Sequence, residues 1–127
     1  MHPHHFGLAC HVGVHLDLPT VGVAKNLFQM NDEGLLRDEG HKRAIDGLSD
    51  AGDSFELRDA SGKVLGVAVK SCRGATKPVF VSVGHAIGLE AAAALVAACA
   101  RFRVPEPTRQ ADIKSREFLR KRQQNVD

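Results

Sequence analysis

The sequence predicts an α/β fold in which helices cover a mixed sheet. Four short runs rich in Val, Leu and Phe carry the signature of strands: LPTVGVAK, SFELRD, KVLGVAVKS and KPVFVSVG. Segments on either side of them repeat apolar residues every three or four positions, the period of a helix packed along one side. The chain has 127 residues and is 43% hydrophobic, which suffices for one core and one domain.

Taken in order, Phe6 to Asp17 read as a helix. Phe6, Ala9, Cys10, Gly13, Val14 and Asp17 fall on one face, and only the last is polar. Gly7 and Gly13 cost stability in such a helix unless something packs closely on the backbone. LPTVGVAK follows as a short buried strand that ends on a lysine. Over residues 26–52 the apolar period weakens while charges and glycines multiply, so this stretch is expected to be a surface excursion with one short helix near Glu39–Leu48. SFELRD and KVLGVAVKS are joined by ASG, a hairpin turn, and KVLGVAVKS and KPVFVSVG by the polar loop CRGAT. His85 stands at the exit of the last strand, just after Gly84. An Ala-rich helix is predicted over Leu89 to Phe102, stopped by the prolines of VPEPT. A basic helix over 108–124 closes the chain, with Thr108 as its cap. The first helix has no strand ahead of it, so residues 1–127 are expected to form the C-terminal portion of a single larger domain whose N-terminal strands are missing. An open sheet edge would then favour self-association.

Composition narrows the function classes. A formal charge of +2 is too small by itself to demand a polyanionic partner. Aromatics are limited to six Phe, so Val, Leu and Ala must fill the interior. Cys10, Cys72 and Cys99 are odd in number and lack CxxC spacing, which suits reduced thiols rather than a disulfide framework. The start is His-rich rather than a basic stub before an apolar run, and GLEAAAALVAACA is too short to cross a bilayer. An intracellular protein of the cytoplasm or nucleus, nucleolus included, is the expectation.

The stretch HPHHFGLACHVGVHLDLPTVGVAK resembles endonuclease V, a nuclease of the RNase H-like fold that cuts strands beside inosine, the deaminated form of adenosine. LGVAVKS, KPVFVSVGHAIGLEAA and RFRVPEPTRQAD continue the likeness in the same order, and RQADIKSREFLRK is similar to the eukaryotic branch, which favours RNA. The resemblance implies single-stranded RNA or DNA containing inosine as partner, hydrolysis of the phosphodiester bond on the 3′ side of that base, and Mg²⁺ as cofactor with Mn²⁺ as an alternative. Hard divalent cations take carboxylate oxygens. Asp112, in RQAD, is the position that matches a family carboxylate, ligating metal directly or through water; capping or pairing with the basic helix is its plain alternative.

The resemblance also implies catalytic roles for His85, in the GH pair, and for Lys25, set against the substrate backbone, so that Asp112, His85 and Lys25 are expected to converge on one phosphate. Both could instead serve local structure, His85 bonding backbone at a helix start and Lys25 reaching to solvent. His2, Gly7 and Leu8 match positions that bind the extruded base, where glycine permits close approach and an apolar wall excludes water. His4 and His5 stand where basic residues face phosphate. His11 and His15 are four apart, as a transition-metal pair would be, yet no third ligand has defined spacing. Lys114, Arg116, Arg120, Lys121 and Arg122 form a nearly unopposed basic run suited to phosphates, or else a solvated face.

Three functions are compatible with these residues. An endonuclease comes first, weak or inactive alone because one matching carboxylate falls short of a metal clamp. A non-catalytic nucleic-acid-binding fragment is the alternative, and a zinc module on the leading histidines the third.

Overall fold

The computed structural model describes residues 6–26 and 39–126. Among the described residues eight elements follow one another: α1 (Leu8–Leu16), β1 (Thr20–Ala24), α2 (Glu39–Asp46), β2 (Ser54–Arg58), β3 (Val64–Val69), β4 (Val79–His85), α3 (Leu89–Ala98) and α4 (Glu106–Gln124). The strands form one sheet in the order β1-β4-β3-β2, and all three pairings are antiparallel. Among the described residues β1 and β2 are its edges.

Alternation along β1 sorts the helices to the two faces of the sheet. Val21 joins Val67, Val69, Val79 and Val81, and these pack against Ala92 and Val96 of α3. Gly22 points the other way, where an added Cβ would lie 3.9 Å from the Ala9 Cβ of α1. The core is thus aliphatic and sits between α3 and the sheet, while α1 crosses the opposite face over β1 and β4.

Gly13 is where α1 comes closest. A Cβ there would lie 2.3 Å from the His85 Cβ and 2.4 Å from the Thr20 hydroxyl oxygen. The same hydroxyl donates to the Ala9 carbonyl at 2.6 Å. Close packing therefore explains a glycine in mid-helix. α1 ends on Asp17, whose left-handed backbone (φ 50°) sends its N–H back to the Gly13 carbonyl.

The β2–β3 hairpin turns where ASG predicts it. Asp59 Oδ1 accepts from the backbone N–H groups of Ser61 and Lys63 at 2.9 and 3.0 Å, and Gly62 adopts φ +84°. The Ser61 hydroxyl donates to the same oxygen, and that bond above all holds the Asp59 carboxyl below its ordinary range.

Several boundaries differ from expectation: α1 begins at Leu8 rather than Phe6 and ends at Leu16 rather than Asp17, β4 takes in His85, and the ends of α3 and α4 that face each other shift as well. α3 stops at Ala98 rather than Phe102, because the Cys99 carbonyl turns away to accept the Glu106 N–H at 2.9 Å. α4 begins at Glu106 rather than Thr108, with buried Pro105 in the capping position and Pro107 in the first turn. Proline has no N–H to satisfy there and its φ suits a helix start. Thr108 consequently lies inside the helix and caps nothing.

Candidate functional site

β1 runs into Lys25, which is exposed just past the strand. Asp112 lies in the second turn of α4, on the element that leaves the end of α3. Its carboxylate is gripped by Arg116 one turn on: Arg116 Nε donates to Oδ1 at 3.0 Å and Nη2 pairs with Oδ2. This hydrogen bonding holds the Asp112 carboxyl below its ordinary range; partial desolvation opposes it, and the charges of Arg116 and then Lys25 add to it. The Arg116 guanidinium is raised in turn, chiefly by the same bond. The structure thus brings Lys25 and Asp112, 87 positions apart by their numbers (112 − 25), within electrostatic reach of each other.

His85 is not part of that meeting. It pairs with Thr20 across the β1–β4 ladder, whereas Ala24, beside Lys25, pairs with Phe80. Five residue steps at about 3.3 Å each put roughly 16 Å between the two ends. The His85 ring instead faces α1, with Nε2 3.7 Å from the Asp17 carboxylate. The expected convergence of Asp112, His85 and Lys25 on one phosphate is therefore corrected: antiparallel pairing carries His85 to the far end of the ladder that Lys25 closes.

An open cleft of about 1050 Å³ runs beside the start of α1, lined among others by Phe6, Gly7, Leu8, Ala24, Phe80 and Gly84. Gly7 and Leu8 thus share one largely apolar hollow. His2, His4 and His5 lie outside the described residues. His11 packs edge-on against Phe6, ring centroids 4.6 Å apart. Cys10 is buried with its thiol 3.8 Å from the Val83 carbonyl, and all three cysteines are free.

Beyond Asp112, Lys114, Arg116, Arg120, Lys121 and Arg122 are all exposed on α4. The helix rests against no other described element to more than a slight extent. Its root is firmer. Glu106 Oε1 accepts from Gln110 at 2.8 Å and from Arg109 at 3.2 Å, and the Arg109 guanidinium lies 4.4 Å over the Phe102 ring. Those contacts, the Gln110 bond first, hold the Glu106 carboxyl below its ordinary range although desolvation works against them. Glu106 Oε2 is sealed from solvent with no hydrogen-bond partner.

Arg103, just ahead of this root, is a residue that sequence reasoning does not single out. Its side chain donates to the carbonyls of Lys25 and Pro78. Its two-arginine setting in RFR is the available signal, but an arginine's carbonyl partners lie far off in sequence and leave no local trace.

Among the described residues no group of three or more His, Cys, Asp or Glu side chains could hold a metal ion. Asp112 has both oxygens engaged by Arg116. The described donor set therefore does not fit a divalent cation by itself.

The Endonuclease V family model matches residues 1–113. The chain belongs to the endonuclease V family. Human endonuclease V is 53% identical over 121 residues, which are 95% of this chain and 42% of the human protein. The solved catalytic domain of human endonuclease V superimposes with a TM-score of 0.85 at 54% identity, covering 91% of this chain and 46% of that one. Endonuclease V from Ciona intestinalis, solved in complex with a 24mer DNA containing an inosine followed by a ribo-adenosine, gives 0.79 at 35% identity over 91% of this chain and 48% of its own. The fold is accordingly RNase H-like, the relatives are endonucleases, and the family is one of metal-dependent nucleases. This chain spans less than half the length of each of these relatives.

Proposed function

We propose that this chain is an endonuclease V-like nuclease component that engages inosine-containing single-stranded RNA or DNA and serves hydrolysis of the phosphodiester bond 3′ to the inosine. The observation that carries this reading is the exposed basic helix α4, which bears Asp112 in its second turn and whose connection from α3 is hydrogen-bonded through Arg103 to the Lys25 carbonyl. Lys25 offsets phosphate charge at the end of β1. Lys114, Arg116, Arg120 and Lys121 follow the backbone outward along α4, with no reading of sequence. Gly7 and Leu8 wall the apolar cleft as a slot for the extruded base, with His2 assigned beside them. His85 would meet the strand at a phosphate other than the one at Lys25, since the ladder separates them.

Mg²⁺ is the proposed metal, with Mn²⁺ as an alternative, and Asp112 contributes to it directly or through water. The described residues do not build that site, so the isolated chain is expected to cleave poorly. This favours the second reading, a nucleic-acid-binding unit without its own hydrolytic centre. Self-association through the β1 edge fits the half-exposed Val23 and Val83 on β1 and its neighbour β4, and the protein would work within the cell, in cytoplasm or nucleus.

Binding of a labelled inosine-containing RNA at several salt concentrations tests the reading, with cleavage followed in Mg²⁺. The expected outcome is salt-sensitive binding whose logarithmic slope flattens when Lys114, Arg120 and Lys121 are changed to Gln, by roughly 0.7 for each phosphate no longer neutralised. A slope indifferent to all three changes would remove α4 from the interface. Strong Mg²⁺-dependent cleavage by the chain alone, abolished by Asp112→Ala, would overturn the binding-only reading.

A further inference from the structure

Three stretches remote in sequence are tied at a single arginine. Arg103 Nη2 donates to the Lys25 carbonyl at 2.5 Å and to the Pro78 carbonyl at 3.0 Å, and Nε reaches the same Pro78 carbonyl at 3.2 Å. Arg103 is itself held, because the buried Ser71 hydroxyl donates to its carbonyl at 2.6 Å. Two residues later Pro105 is buried, and the Glu106 N–H is pinned to the Cys99 carbonyl at 2.9 Å. The end of β1, the entry to β4 and the loop after β3 therefore meet where α4 begins.

We propose that Arg103 is the positioning residue of the site: it fixes the backbone of Lys25 against the root of α4, and so sets where the Lys25 ammonium stands relative to Asp112. The inference deepens the reading above and assigns Arg103 no contact with substrate. The planar fork suits this task, since one rigid group presents several donors at fixed angles to two carbonyls. A lysine would bring one compact ammonium on a flexible stem and could not hold both carbonyls in that geometry. β1 is an edge strand among the described residues, paired on one side only, so its exit has few other restraints. The guanidinium is a direct hydrogen-bonded link from Lys25 to the α3–α4 connection.

Cross-linking of the full 127-residue chain with a short amine-reactive diazirine tests this without nucleic acid, by mass-spectrometric yield of the Lys25–Asp112 adduct. A failure of RNA binding would therefore leave the test standing. The parent is expected to give the cross-link. Arg103→Gln should lower its yield several-fold while far-UV circular dichroism stays at the parent level, and Arg103→Lys should not restore it. Ser71→Ala, which keeps the guanidinium but frees the Arg103 carbonyl, should give a yield between the two. No cross-link in the parent, an undiminished yield in Arg103→Gln, or full restoration by Arg103→Lys would each overturn the proposal. If Arg103→Gln loses its helical signal, Ser71→Ala decides: an unchanged yield there overturns it equally.

Discussion

Gly13→Ala sets helix propensity against packing. In an exposed helix the change would stabilise by about 0.8–1.0 kcal/mol, since alanine has less backbone freedom to lose. In α1 the new methyl would stand 2.3 Å from the His85 Cβ and 2.4 Å from the Thr20 hydroxyl oxygen. Neither neighbour yields easily. The His85 Cβ moves only with β4, and the Thr20 hydroxyl is committed to the Ala9 carbonyl at 2.6 Å. Overpacking of this kind costs about 1–3 kcal/mol. Losing the threonine bond adds about 1 kcal/mol. After the propensity gain is set against these costs, the variant should be destabilised by about 1–3 kcal/mol. The chain has no Trp or Tyr, so urea unfolding is best followed by far-UV circular dichroism rather than intrinsic fluorescence. The midpoint should fall with the slope unchanged. A midpoint at or above the parent value would show that α1 can lift off the β1–β4 end without cost, and the packing argument would fail.

The Asp112–Arg116 pair sets a pH dependence: a depressed carboxyl stabilises the folded state above its ordinary value of 3.8, and that contribution is lost as pH falls through the lower folded value. Arg116→Gln should move the Asp112 midpoint upward in a carbon-detected NMR titration, and an unmoved midpoint would mean the pair is not formed in solution. Leu57 is fully buried on β2, so Leu57→Ala should destabilise by about 2–5 kcal/mol in the same urea assay; less than about 1 kcal/mol would show that β2 contributes little to the fold. Gly62→Ala, at φ +84°, should cost about 1–2 kcal/mol although the space around it is open. Gly74→Ala, equally uncrowded but without a positive φ, is the control and should be near neutral.

What is legible in the sequence is local. The strand runs, the ASG turn and the first helix all follow from spacing and turn chemistry within a few residues, and the structure forms each of them with small shifts at its ends. The end of α3 and the start of α4 fall elsewhere than spacing predicts because one backbone hydrogen bond across the connection between them, Glu106 to Cys99, closes one helix and opens the other, and apolar spacing does not mark it. The grouping of His85 with Lys25 fails for a related reason. A strand exit looks the same whichever end of the sheet it reaches, and only the partner of β4 reveals that His85 sits beside Thr20. Arg103 leaves no signal beyond its place in RFR, because its partners are backbone carbonyls, which carry no residue identity. Asp112 is legible through its motif, yet its grip by Arg116 and its nearness to Lys25 require the third dimension.

α4 has one more consequence. Its 19 residues make a rod of about 28 Å, and the family match ends at residue 113, near the rod's anchored base. If α4 meets nucleic acid as proposed above, charge or length added to the outer turns would change the reach of the positive field, and with it the rate of encounter, without disturbing the residues at the base. The outer helix is in that sense a handle by which encounter rate can be adjusted separately from whatever happens at Lys25 and Asp112.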